Sequence, residues 1–288
     1  MNIAYCIICH KFTIPLEKNV DILSKDNDIF IHVDNKSDIK NFDKIKDKVT
    51  FIKNRVDVRW GAFSQIQATI NLLEETKIKK YDYIFLLSGD CLALKNSDEI
   101  KLLLSKLKGK QFVARDFNIS KEEIELRLKY NYRKINYKKT KSIFETYLER
   151  LQYKFKLFEK NKLFSSLPEL YKGTNWFGIT DDLRDYILNY IEENQKYVEA
   201  FKKSLCGDEV FFHTIIFNSK YKDNIYNPND KSNICYQALR YIDWESGPEY
   251  PKVLNSDDFD LIKKTECLFA RKFDDNLDVD MFMKKFIM

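Results

Sequence analysis

Asp208 and Glu209 are adjacent carboxylates that follow Gly207 and lead into Val210-Phe211-Phe212-His213-Thr214-Ile215-Ile216-Phe217, a run apolar almost all round. A solvated turn meets a rigid packed segment there, which suits a general base. The pair also reads as a helix start, with Asp208 as N-cap and Glu209 as a first-turn acid favoured by the helix dipole. His213 falls inside the buried run and reads as a satisfied core histidine, not a base. Arg271 and Lys272 stand together in the apolar frame Cys267-Leu268-Phe269-Ala270-Arg271-Lys272-Phe273-Asp274. Two cations in such a frame need an anion. Asp274 or Asp275 would serve, and so would a diphosphate, which arginine and lysine clamp when no metal does. Arg240, in Ala238-Leu239-Arg240-Tyr241-Ile242-Asp243-Trp244, keeps acidic and aromatic company.

The elements that must position these groups show a β-α-β rhythm. Ile3 to Ile8, Asp28 to Val33 and Tyr83 to Ser88 are short apolar runs that read as buried parallel strands, and Val49 to Ile52 as a shorter one. Leu16, Val20 and Leu23, then Ile66, Ile70 and Leu73, recur at helical spacing between them. The expected class is α/β, with a mostly parallel central sheet flanked by helices and ligands at the carboxyl ends of its strands. Asp34 stands at such an end, as a ligand contact or as a helix cap. Trp60, at the next helix start, stacks on a planar ring or fills the core. Gly173 to Thr180 carries the pair Trp176-Phe177 and reads as a strand near a site. Asp181 to Phe201 reads as one amphipathic helix capped by Asp181. Residues 117–165, rich in Lys, Tyr and Glu, read as a helical, variable insert within a single domain spanning 1–288. Its surface is a solvated face or part of an acceptor groove.

The 288 residues carry 44% hydrophobic side chains and only 7 Gly and 5 Pro, which excludes a disordered chain. A net charge of +5, from 49 basic and 44 acidic residues, is not the footprint of a nucleic-acid binder, but it suits anionic substrates or lipid. Cys6-x-x-Cys9 lies in a strand whose alternation sends the two thiols to opposite faces, so all six cysteines read as reduced and mostly buried. No signal peptide or membrane-length apolar stretch is present, so any membrane contact is peripheral. No G-x-G-x-x-G follows the first strand, which disfavours a dinucleotide oxidoreductase.

Six motifs occur in order: Ile31-His32-Val33-Asp34; Trp60-Gly61-Ala62 with Ser64 and Gln67; Leu87-Ser88-Gly89; Asp208-Glu209-Val210-Phe211-Phe212-His213-Thr214; Leu239-Arg240-Tyr241-Ile242-Asp243-Trp244; and Leu268-Phe269-Ala270-Arg271-Lys272-Phe273-Asp274. Together they resemble the core-2/I-branching glycosyltransferases, a family of β-1,6-N-acetylglucosaminyltransferases and peptide O-xylosyltransferases. The resemblance implies a GT-A-type nucleotide-sugar-binding fold and inverting transfer from a UDP-sugar donor to a glycan or glycolipid acceptor, without a metal cofactor. N-acetylglucosamine and xylose lead as donor sugars. By resemblance Glu209 is the base. Arg240 and Lys272, with Arg271 beside them, replace a metal at the diphosphate. Asp34 contacts the uridine, and Trp60 lies near the nucleotide. Asn175 matches an aspartate near the sugar, and Trp176 and Asp208 join it as sugar or acceptor contacts. Asp90 is followed by Cys91 and Leu92, so no second carboxylate completes a D-x-D, and Cys91 stands where the family often has an aspartate. The lack of an anchor or stem implies a bacterial cytoplasmic enzyme building surface polysaccharide or lipopolysaccharide at the inner face of the membrane. The alternative is a nucleotide-sugar-binding scaffold without catalysis, which would have no need for Glu209 beside Arg240 and Lys272.

Overall fold

The computed structural model describes residues 1–288 apart from 139, 140, 156, 232–234 and 249, and apart from the side chain of residue 153. The described strands are β1 (Ile3–Cys9), β2 (Asp28–Val33), β3 (Thr50–Phe51), β4 (Tyr83–Ser88), β5 (Leu92–Ala93), β6 (Phe112–Val113), β7 (Tyr130–Asn131), β8 (Glu159–Lys160), β9 (Phe177–Ile179), β10 (Arg240–Ile242) and β11 (Phe269–Arg271). The described helices are α1 (Ile14–Leu23), α2 (Phe63–Glu75), α3 (Ser97–Lys106), α4 (Lys121–Lys129), α5 (Ile143–Lys154), α6 (Asp181–Glu193), α7 (Gln195–Phe201), α8 (Asp208–Phe217), α9 (Phe259–Lys263) and α10 (Val279–Phe286).

The central sheet has the order β3-β2-β1-β4-β9-β6. Its first four strands are parallel, and β9 and β6 each run antiparallel to their neighbour. This is the mostly parallel α/β sheet that the apolar runs predict. Strand alternation divides the core into two layers. Tyr5, Ile7 and Cys9 of β1 face one cluster with Phe85 and Leu87, while Ala4 and Cys6 face another with Ile84 and Leu86. Cys6 and Cys9 thus lie on opposite faces, and none of the six cysteines is in a disulfide. A second sheet has the order β10-β11-β5 and packs against the face of the first that carries Tyr5 and Phe85. Phe269 of β11 reaches Tyr5 and Phe85, with ring centroids 6.1 and 5.4 Å apart.

Two local expectations fail for identifiable reasons. The helix expected over Asp181 to Phe201 breaks at Asn194, where φ is −116° and ψ is 58°. The break turns Tyr197 inward, where its hydroxyl donates to the Phe211 carbonyl at 2.7 Å and its ring meets Phe211 at 5.1 Å. Asp181 is not the cap either: Thr180 holds that position. Asp181 instead pairs with Arg184 at 2.7 Å and accepts from the Tyr81 amide at 3.3 Å.

Candidate functional site

The carboxyl ends of β1, β2 and β4 converge. The Asp34 amide donates to the Cys9 carbonyl at 2.8 Å, and the Gly89 amide to the Ile8 carbonyl at 3.1 Å. A Cβ on Gly89 would stand 2.8 Å from the Cys9 Cβ, so the β4 turn can close only on glycine. Asp34 is not a helix cap; Asp38 caps the next helical turn. Asp34 accepts its own Asx-turn bond from the Lys36 amide at 2.9 Å and an ion pair from Lys36 Nζ at 2.9 Å. The same Nζ donates to Asp57 at 2.7 Å and to the Val58 carbonyl at 2.6 Å, which draws the loop before Trp60 to the strand ends.

The small sheet places two arginines beside this edge. Arg271 makes a two-pronged pair with Asp90, Nε to Oδ1 at 3.1 Å and Nη2 to Oδ2 at 2.7 Å. Its partner is therefore neither Asp274 nor Asp275. Those two serve backbone amides: Asp274 that of Asn276 two residues on, and Asp275 that of Ile14 at the start of α1. The Ser88 hydroxyl also donates to Asp90. Burial alone would raise the Asp90 carboxyl, but the Arg271 guanidinium outweighs it and holds the group below the usual range. Trp176 packs its ring on Arg271, 4.9 Å from Cζ, with Arg240 at 5.8 Å. Arg240 is fully buried, and its expected acidic company is absent from its hydrogen bonds. It donates to the Leu86 carbonyl at 3.2 Å and to Cys91 Sγ at 3.3 Å, and its Nε has no partner among the described residues. Burial lowers its pKa. Lys272 follows Arg271, and its carbonyl accepts from the Leu254 amide at 2.8 Å.

Helix α8 carries the acidic pair. Gly207, not Asp208, is the N-cap, and Asp208 is the first helical residue. Asp208 is only 7% exposed, and its Oδ1 has no partner among the described residues. Burial first, and the charge of Glu209 second, raise its carboxyl well above the usual range. Glu209 keeps a third of its side chain open to solvent. Its Oε2 receives Arg127 Nη1 at 2.9 Å and stands 3.5 Å from Lys172 Nζ, which also pairs with Asp116 at 2.9 Å. Arg127 comes from α4, so residues 117–165 deliver a cation to the acid that sequence reasoning singled out. Nothing in the spacing of Arg127 and Glu209, 82 positions apart, announces this. The Trp60 turn lies against the same point: the Cys206 amide donates to the Gly61 carbonyl at 2.7 Å, and Trp60 is 49% exposed.

The segment before β9 joins the two halves. The Gly173 amide donates to the Glu209 carbonyl at 3.0 Å. A Cβ on Gly173 would lie 2.1 Å from the Ala114 carbonyl oxygen and 2.3 Å from His213 Nε2. His213 is buried as expected but not satisfied: neither ring nitrogen has a partner among the described residues, and burial drives its pKa down to about 3. Two residues on, both side-chain polar atoms of Asn175 are buried and unpartnered among the described residues. Contacts therefore run in a closed ring from Asp34 through Lys36 to the Trp60 loop, Cys206 and Glu209, then Gly173 to Trp176, Arg271, Asp90, Gly89 and back to Cys9. Eight of the nine sequence-derived residues lie on this ring or one residue from it, and Arg240 lies behind Trp176. No group of three or more His, Cys, Asp or Glu among the described residues is placed to hold a metal ion.

One stability prediction follows from Asp208. Its folded pKa stands above the unfolded value, so the protein gives up stability as pH rises from the unfolded pKa, about 4, through the folded one. Asp208→Asn cannot ionise. It is expected to be more stable than the native chain by about 1–3 kcal/mol at pH 7.5, with the gap closing near pH 4. Urea unfolding at the two pH values measures this; a variant less stable at pH 7.5 would contradict it.

The Core-2/I-Branching enzyme family matches residues 3–262, which includes five of the six motifs and stops before Leu268-Phe269-Ala270-Arg271-Lys272. Xylosyltransferase sqv-6 of Caenorhabditis briggsae is 24% identical over 273 residues, covering 87% of this chain and 32% of that protein. The Caenorhabditis elegans xylosyltransferase sqv-6 is 24% identical over 272 residues with the same coverage. The chain thus spans about a third of the length of the curated relatives it matches. The apo crystal structure of mouse xyloside xylosyltransferase 1 superposes with a TM-score of 0.33 at 12% identity, over 76% of this chain and 83% of that one.

Proposed function

The chain belongs to the Core-2/I-Branching enzyme family, and from that premise we propose that it is an inverting glycosyltransferase that uses a UDP-sugar donor and needs no metal. The observation that carries this is the closed ring of contacts, which links a solvent-reachable carboxylate, Glu209, through Gly173 and Trp176 to two guanidiniums, Arg271 and Arg240. In the proposed reaction Glu209 takes the proton of an acceptor hydroxyl. The hydroxyl oxygen bonds to the anomeric carbon as the bond from that carbon to the diphosphate oxygen breaks. UDP leaves with the electron pair, and Arg240, Arg271 and Lys272 offset its charge. Asp34 serves the uridine, Trp60 flanks the nucleotide, and Asn175, Trp176 and Asp208 serve the sugar or acceptor. The buried polar atoms of Asn175 and Asp208 that lack partners support that role, because such atoms are costly unless a ligand pairs them. The sugar is xylose or N-acetylglucosamine, and the acceptor a glycan or glycolipid in a surface polysaccharide or lipopolysaccharide.

Metal independence rests on the capture of Asp90. Its carboxylate is already forked by Arg271, so the acid at the usual metal position supports a guanidinium instead. A binding protein without turnover has one observation in its favour: Arg127 and Lys172 both engage Glu209 Oε2, which leaves Oε1 alone to take a proton.

A thermal-shift screen against UDP-sugars in excess EDTA, repeated with Lys272→Ala, tests the proposal. One UDP-sugar is expected to raise Tm by mass action, equally with and without EDTA, and the shift is expected to vanish in the variant. Shifts that require added divalent cation would overturn metal independence, and no shift with any UDP-sugar, alone or with acceptor glycans, would overturn the donor assignment.

A further inference from the structure

We propose that helix α5 seats the protein on an anionic lipid surface. The helix is oriented against the usual pattern of a globular protein, with polar groups toward the body and apolar groups outward. Its inward side carries Glu149, which accepts from Asn136 Nδ2 at 3.0 Å and Lys141 Nζ at 2.7 Å, and Glu145, which pairs with Lys138. Its outward side shows Ile143 at 92% exposure, Phe144 at 68%, Tyr147 at 58% and, just past the end, Phe155 at 60% and Leu157 at 55%. At about 100° per residue the first four fall within an arc of about 120°. Arg150 lies just outside that arc on the Ile143 side and Lys154 within it, between Ile143 and Tyr147; both are exposed, and Lys154 Nζ sits 5.6 Å above the Phe155 ring. A stripe of large apolar side chains flanked by cations is the geometry of an interfacial helix whose rings enter the headgroup layer while its cations meet lipid phosphates.

Charge selects this occupant over a second copy of the chain. On the outward side of α5 Arg150 and Lys154 leave a surplus of two positive charges, because the helix acids Glu145 and Glu149 are taken up by Lys138 and Lys141 on the other side. Two copies meeting through this face would bring like surpluses together, whereas an anionic surface offsets them. No helix among the described residues is long and apolar enough to cross a membrane, so contact of this kind is from the surface.

Co-sedimentation with lipid vesicles tests the proposal. The native chain is expected to pellet with phosphatidylcholine vesicles containing a third phosphatidylglycerol, not with phosphatidylcholine alone, and to be released by molar salt. Phe144→Ser with Phe155→Ser is expected to weaken binding roughly 100-fold, and Arg150→Glu with Lys154→Glu roughly tenfold or more. These side chains are exposed, so Tm is expected to stay unchanged, and vesicle binding is read without reference to UDP-sugar. Equal binding to neutral vesicles, no binding, or undiminished binding by the double variants would overturn the proposal. So would a dimer in light scattering that the Phe144→Ser, Phe155→Ser variant dissolves.

Discussion

Glu209→Gln is expected to reduce turnover by roughly 10³-fold and to leave UDP binding within about twofold of the native chain, the range for loss of a general base. The amide keeps the shape and the Lys172 and Arg127 neighbourhood but cannot take a proton at neutral pH. Steady-state rates with saturating donor, paired with calorimetric UDP titration, read both quantities. Residual activity above a tenth of native would remove Glu209 from the role of base. Loss of UDP binding along with turnover would mean instead that the acid holds the donor site together through Arg127 and Lys172. Activity absent from the native chain, with UDP still bound, is the result that favours the binding-protein reading.

Arg271→Met is expected to damage two properties at once. The guanidinium is the partner of Asp90, and its removal strands a half-buried carboxylate beside Ser88. Breaking such a pair costs about 3–5 kcal/mol when fully buried, and the 31% exposure of the Asp90 side chain brings the expected loss to about 2–3 kcal/mol. The pH dependence carries the signature. In the native chain the Asp90 pKa is held below its unfolded value, so the pair's stabilisation is present above the unfolded pKa and fades as pH falls through the folded one. The stability gap between native and variant chains is therefore widest near pH 7 and narrows below about pH 4. UDP affinity is expected to fall roughly 10- to 100-fold, the range for a charged hydrogen bond. Urea titrations at the two pH values and UDP calorimetry check each half. A variant with native stability at pH 7 would show that Asp90 does not depend on Arg271.

The sheet was legible because its parallel strands are buried on both faces and so read as unbroken apolar runs. The residues at their ends were legible for the same reason: Asp34 and Asp90 are where those runs stop. What the sequence concealed is pairing over distance. Asp90 and Arg271 stand 181 positions apart, and local reading offered Arg271 only the nearest acids or a diphosphate. Arg127 was hidden in a stretch that carries no site motif. Asp208 looked like a cap because Asp commonly is one, yet Gly207 took that place and left the carboxylate buried. Helical periodicity exposes an apolar stripe but not the direction it faces, and α5 faces outward. His213 was correctly read as buried, but its environment supplies no hydrogen bond, which composition cannot reveal.

Gly173 changes how variation in this chain should be interpreted. It has no side chain to bind, donate or titrate, yet a single added carbon would press on the Ala114 carbonyl and the His213 ring together. His213 stands one helical turn behind Glu209, so that pressure would be delivered along α8 to the carboxylate. Position 173 is thus bound to the same fate as position 209 in any lineage that keeps the chemistry. Constancy at the two would have different origins, steric clearance at one and, in the proposed reaction, proton transfer at the other. An inert atom-sized gap can be as heavily constrained as a reacting group, and a catalogue of tolerated substitutions alone would not distinguish them.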